Sequence, residues 1–150
     1  MKGLDLYKWI AGSMNDFARP FQENEALYNQ AKSFWRHLES SSMVIIGIFL
    51  VLGISLSIMY YLPYNEKPGR HYHPIHWGYF LIGTFVMTLL VTLGFEYIAV
   101  EPKLSGAFMV ESKIALGNAM YAAFLYILTS VVWCNVGPTN AYRIFKINKK

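Results

Sequence analysis

Three tracts without a charged side chain dominate the pattern of apolar and polar positions along the chain. The first, Met43 to Leu62, holds twenty residues, twelve of them Leu, Ile, Val or Phe. At about 1.5 Å per residue a helix of that length covers about 30 Å, the thickness of a bilayer's hydrocarbon core. The second runs from Trp77 to Phe95 and continues through Glu96 to Val100, where Glu101-Pro102 ends it. The third, Ile114 to Val136, carries Asn118 near its start and Asn135 at its end. Tyr60, Tyr61, Trp77, Tyr79, Tyr97 and Trp133 fall at the ends of these tracts, where an aromatic belt meets water. The pattern predicts an all-α integral membrane protein with three transmembrane helices, over about 43–62, 77–100 and 114–136.

Residues 1–42, ahead of the first span, show helical spacing on a polar background, which predicts one or two amphipathic helices. In the first, Leu6, Ile10, Ser13 and Phe17 form a stripe, and Pro20 stops it. In the second, Asn24 suits the N-cap and Leu27, Ala31, Phe34 and Leu38 share a face. Nothing between Leu38 and Met43 breaks a helix, so this one is free to run into the first span. The loop from Glu101 to Lys113 includes the apolar group Ala107 to Val110, expected to dip into the interface. After the membrane domain, 43–136, comes a basic tail, 137–150, in which Tyr142 and Ile144 alternate with Arg143 and Lys146, a pattern open to a short strand or to a basic end on anionic lipid.

Composition narrows the class. With 55% hydrophobic and only 15% charged residues, the chain lacks the roughly one quarter of charged residues that a soluble domain carries. Its 17% aromatic content is far above that of a disordered chain. The formal charge of +4 lies in the loops and ends, without the basic stripe and interleaved aromatics of a nucleic-acid surface, so no nucleic-acid partner is expected. Lys and Arg do not set an orientation: Lys2, Lys8, Arg19, Lys32, Arg36, Lys103 and Lys113 on one side nearly balance Lys67, Arg70, Arg143, Lys146, Lys149 and Lys150 on the other. No apolar h-region of a secretory signal precedes the first span. Cys134 is the single cysteine, which leaves no intrachain disulfide. The longest stretch outside the spans, 42 residues, is short for an independent catalytic core, and no phosphate loop, nucleophile elbow or zinc-protease motif occurs. No enzymatic activity is expected.

Three features carry candidate chemistry. His71, His73 and His76 fall within six residues of a Pro- and Gly-stiffened loop, and three imidazoles suit zinc or copper; contact with lipid phosphate or a pH response is the competing reading. Glu96 is the one ionisable group inside a span, expected near the interface, and copies of it in a homo-oligomer could line a pore or proton site. Ala115, Ala119 and Ala123 recur every four residues beside Asn118, with Gly53 and Ser57 as a weaker pair on the first span, which predicts close helix–helix interfaces. These features suggest a small multi-span subunit, held in the cytoplasmic (inner) membrane, that assembles into, anchors or scaffolds a larger membrane complex such as secretion or defence machinery. Its expected partners are the bilayer and other membrane subunits, identical or different. An oligomeric pore using Glu96 and a haem- or quinone-binding anchor of a redox complex are the alternatives. No cofactor is expected outright, with metal and haem left as the options that the histidines raise.

Overall fold

The computed structural model describes residues 3–66 and 73–147. Among them every regular element is helical: a 3-10 turn (Gly3–Tyr7), α1 (Lys8–Ala11), α2 (Met14–Ala18), a second 3-10 turn (Arg19–Phe21), α3 (Glu25–Met59), a π-helical turn (Tyr60–Tyr64), α4 (Pro74–Ala99) and α5 (Ala107–Val136). The three long helices α3, α4 and α5 are each long and apolar enough to cross a membrane.

The second amphipathic stretch and the first apolar tract form one continuous helix, α3, of 35 residues. Its start follows from Asn24, whose Oδ1 accepts from the N–H groups of Ala26 (3.1 Å) and Leu27 (3.3 Å), two of the donors a helix start leaves orphaned. Its end comes at the π-helical turn, which contains Pro63, a residue with no N–H to donate.

The expected single helix through Leu6, Ile10, Ser13 and Phe17 is broken into two short pieces. Gly12 takes a φ of 81°, which leaves the helical region, and Ser13 restarts the chain as the N-cap of α2 through a capping box with Asp16. Ahead of the break, Leu4 and Tyr7 are enclosed, while Leu6 stays exposed. The Glu101 to Lys113 loop is likewise shorter than expected. Gly106, at a φ of 86°, leads directly into α5, so Ala107 to Val110 form its first turn rather than an apolar loop.

Contacts divide the chain into two compact units, each taking part of all three long helices. One comprises the chain up to Ile48 with Leu89–Asn118. Here the N-terminal segment lies on the helices through Phe17, whose ring meets Phe34 at 5.1 Å and Trp35 at 6.2 Å between centroids. Gly117 makes room for that segment on α5, since a Cβ there would come within 3.3 Å of the Tyr7 ring and 3.4 Å of Ile10. Phe34, Leu38, Ile45, Val100 and Ile114 are buried beside them.

The other unit comprises Phe49–Thr88 with Ala119–Lys150. In it α3 and α5 meet closely at Gly53, where a Cβ would stand 2.9 Å from the Ala122 carbonyl oxygen. Tyr60, Tyr61, Cys134 and Ala141 form its buried cluster, with Tyr64, Trp77, Phe80, Trp133 and Phe145 packed against it. The segment after α5 forms turns, with no strand among its described residues. The Arg143 guanidinium donates to the carbonyl oxygens of Cys134 and Gly137, both at 3.2 Å, which occupies carbonyls that the helix end leaves free. Held in this way, the alternating tail residues pair with their own helix end instead of extending.

Candidate functional site

The sequence places Thr84, Thr88, Thr92 and Glu96 four residues apart on α4, and all four are buried. Spacing by four stacks side chains on one helix face. The opposite positions carry large apolar groups: Ile82, Leu90 and Ile98 are 62%, 60% and 81% exposed. The helix is thus polar towards its neighbours in the chain and apolar outward, the reverse of a helix in a water-soluble bundle.

The polar groups converge in the first unit around two residues of α4 and two of α5. Asn118 is fully buried and all of its amide is used. Its Nδ2 donates to Ile45 O at 3.0 Å and to Thr92 Oγ1 at 2.7 Å, and its Oδ1 accepts from the Tyr7 hydroxyl at 2.7 Å. One side chain on α5 therefore holds α3, α4 and the N-terminal segment.

One turn further along α4 from Thr92 stands Glu96, with no accessible surface, and among the described residues neither carboxyl oxygen has a hydrogen-bond partner. Two charged groups act on it, Glu111 of α5 and Lys103 of the α4–α5 connection. Glu111 is itself buried, and its Oε1 receives the Lys103 ammonium at 2.9 Å. Lys103 also reaches the Glu96 carbonyl oxygen at 3.4 Å and lies 4.8 Å from the centroid of the Tyr97 ring. Its side chain keeps 40% exposure, whereas that of Glu111 keeps 1%.

Glu96 is enclosed by its own chain. Because α5 begins at Ala107, about two turns ahead of the expected Ile114, Glu111 belongs to that helix and is one of the two charged groups acting on Glu96.

The small-residue face of α5 is placed differently from its spacing. Ala115, Asn118, Ala119 and Ala122 are buried, but Ala123 is only half-buried. The enclosed positions follow a mixed spacing of three and four, the true period of an α-helix, so a strict repeat of four drifts off the face. In the second unit Ser57 is buried and its hydroxyl lies 3.3 Å from that of Ser130, which also accepts from Trp77 Nε1 at 3.0 Å.

Of the loop histidines, His71 lies outside the described residues. His73 and His76 flank the start of α4 with ring centroids 6.2 Å apart, and His76 also faces Tyr64 at 5.7 Å. Among the described residues no three His, Cys, Asp or Glu side chains are grouped to hold a metal ion.

Glu111, Lys103 and Tyr7 have no mark in the linear pattern that singles them out. The row Thr84, Thr88, Thr92, Glu96 does have one: polar residues at a repeat of four inside an otherwise apolar tract. No family model matches the chain, and comparison with curated proteins and with solved structures likewise gave no match.

Proposed function

We propose that the chain is a multi-pass integral membrane subunit, seated in the cytoplasmic membrane, that anchors or scaffolds a larger membrane assembly. The observation that carries this reading is the inverted polarity of α4, with threonines and Glu96 inside and Ile82, Leu90 and Ile98 outside. In water an apolar face of this extent is a liability; in lipid it is the solvated face, and the inward Thr92 hydroxyl gains in Asn118 a partner that lipid does not offer.

The close-approach residue Gly53 is used within the chain. Gly53 is already occupied by Ala122 and Leu125 of the same chain. Contacts with further subunits then fall to the outer faces and to exposed groups at the helix ends, such as Trp9, Phe108 and Met109. A pore lined by copies of Glu96 fits less well, since a ring needs the carboxylates on an outer face and Glu96 is enclosed by its own chain.

The experiment is extraction of membranes followed by sizing. We expect the protein to stay with the membrane in alkaline carbonate, to dissolve in mild detergent, and to run there in a particle larger than one chain. Release by carbonate would end the membrane reading, and a detergent monomer without companions would end the subunit reading.

A further inference from the structure

Glu96, Glu111 and Lys103 form a charge arrangement that is incomplete as drawn from its side chains alone. Two carboxylates and one ammonium leave one negative charge in excess. The single cation is committed to Glu111, at 2.9 Å. Glu96 has no accessible surface and two oxygens without a donor among the described residues. An ionised carboxylate removed from water and left without a partner costs several kcal/mol, whereas the neutral acid escapes most of that penalty. One bound proton restores neutrality to the three groups.

We propose that Glu96 is a proton-binding site, at which one exchangeable proton is held on the carboxyl group while Lys103 neutralises Glu111. Uptake converts Glu96 carboxylate and a hydrated proton into the carboxylic acid and water, and release reverses this with no other bond changed. Lys103 is the group that answers the change. Its ammonium lies 3.4 Å from the Glu96 carbonyl oxygen, on the same helix turn as the carboxyl, and its partly exposed side chain reaches towards the surroundings. On release of the proton the ammonium is drawn from Glu111 towards Glu96. The charged groups acting on Glu96 are Glu111 and Lys103. The proposal concerns a site inside one chain and stands whether or not the chain has partner subunits.

The test is labelling of the full chain in detergent micelles with dicyclohexylcarbodiimide. This apolar reagent adds the O–H of a protonated, water-shielded carboxyl across a C=N bond, giving an O-acylisourea that rearranges to a stable N-acylurea, located by peptide mass spectrometry. The expected result is an adduct on Glu96 that declines as pH is raised and is absent from Glu96→Gln. In Glu111→Gln the freed ammonium can turn to Glu96 and hold it ionised, so labelling there should fall by about tenfold at neutral pH. An unlabelled Glu96 at every pH in protein with intact helical circular dichroism overturns the proposal, as does an adduct on Glu111 in its place. Suppression of the adduct by sodium chloride but not by potassium chloride also overturns it, and assigns the carboxylate to an alkali cation.

Discussion

The Tyr7 hydroxyl donates to Asn118 Oδ1 at 2.7 Å across 111 residues of sequence. Through this bond the N-terminal segment is tied to the same amide that holds Ile45 of α3 and Thr92 of α4. Gly117 permits the contact, since a Cβ there would come within 3.3 Å of the Tyr7 ring.

Asn118→Ala should cost about 2 kcal/mol, since three hydrogen bonds worth roughly 0.6 kcal/mol each in a membrane helix bundle are lost and their partners stay buried. Thermal or denaturant unfolding in a fixed detergent reads this loss. Tyr7→Phe removes one of the three and should account for a minor part of it. An Asn118→Ala protein as stable as the parent would show that the amide does not hold the segment.

Lys103→Met should leave Glu111 buried without its cation. Because Lys103 is 40% exposed, the full penalty for breaking a buried pair is reduced by solvent, and a destabilisation of about 1–2 kcal/mol is expected. Adding Glu111→Gln to Lys103→Met should recover most of it, a coupling that a double-mutant cycle measures. Equal and additive losses in the two single variants would rule out the pairing.

Gly53→Ala places a Cβ 2.9 Å from the Ala122 carbonyl oxygen, so α3 and α5 must separate or shift; a loss of about 1–3 kcal/mol is expected. Gly47, on the same helix, has nothing within 4 Å of a Cβ, and Gly47→Ala should be neutral or stabilise by up to about 1 kcal/mol through helix propensity. Comparing the two unfolding midpoints separates a packing role from a general dislike of alanine.

Asp16 gives a pH dependence confined to α2. The Ser13 hydroxyl donates to its carboxylate at 2.6 Å and the Ser13 N–H at 2.9 Å, and these bonds hold its pKa below the ordinary 3.8. A depressed carboxylate contributes stability above the unfolded pKa. That contribution is present at neutral pH, begins to fade as pH drops towards 3.8, and is gone below the folded value. Amide hydrogen exchange across Met14–Ala18, measured from neutral pH downward against an Asp16→Asn control, should show the acid-induced loss of protection only in the parent.

The long helices are legible in the sequence because their cause is local. Twenty uncharged residues from Met43 to Leu62 specify a helix suited to hydrocarbon whatever surrounds it, and Asn24 marks where α3 starts through bonds from the N–H groups of Ala26 and Leu27. The breaks are less legible. Ser13 and Asp16 have capping-box spacing, yet the stripe of Leu6, Ile10 and Phe17 continues through them, and only the turn at Gly12 decides between the two. Of the candidate site, Glu96 and Asn118 stand out as polar residues in apolar tracts, but their partners do not. Tyr7, Lys103 and Glu111 lie in segments where such residues are ordinary.

By itself, then, the sequence determined an all-helical chain with three helices apolar enough to cross a membrane, since hydropathy and capping act over a few residues. Tertiary structure alone decided what Glu96 faces. That depends on the rotation of α4 about its axis, on α5 beginning at Ala107, and on Lys103 reaching Glu111 from the short connection between them. These are distances between parts of the chain brought together by packing, and no spacing along the sequence encodes them. The same carboxyl, turned half a revolution, would lie on the outer apolar face of α4 with Leu90 and Ile98; as packed, it is buried under the influence of Glu111 and Lys103.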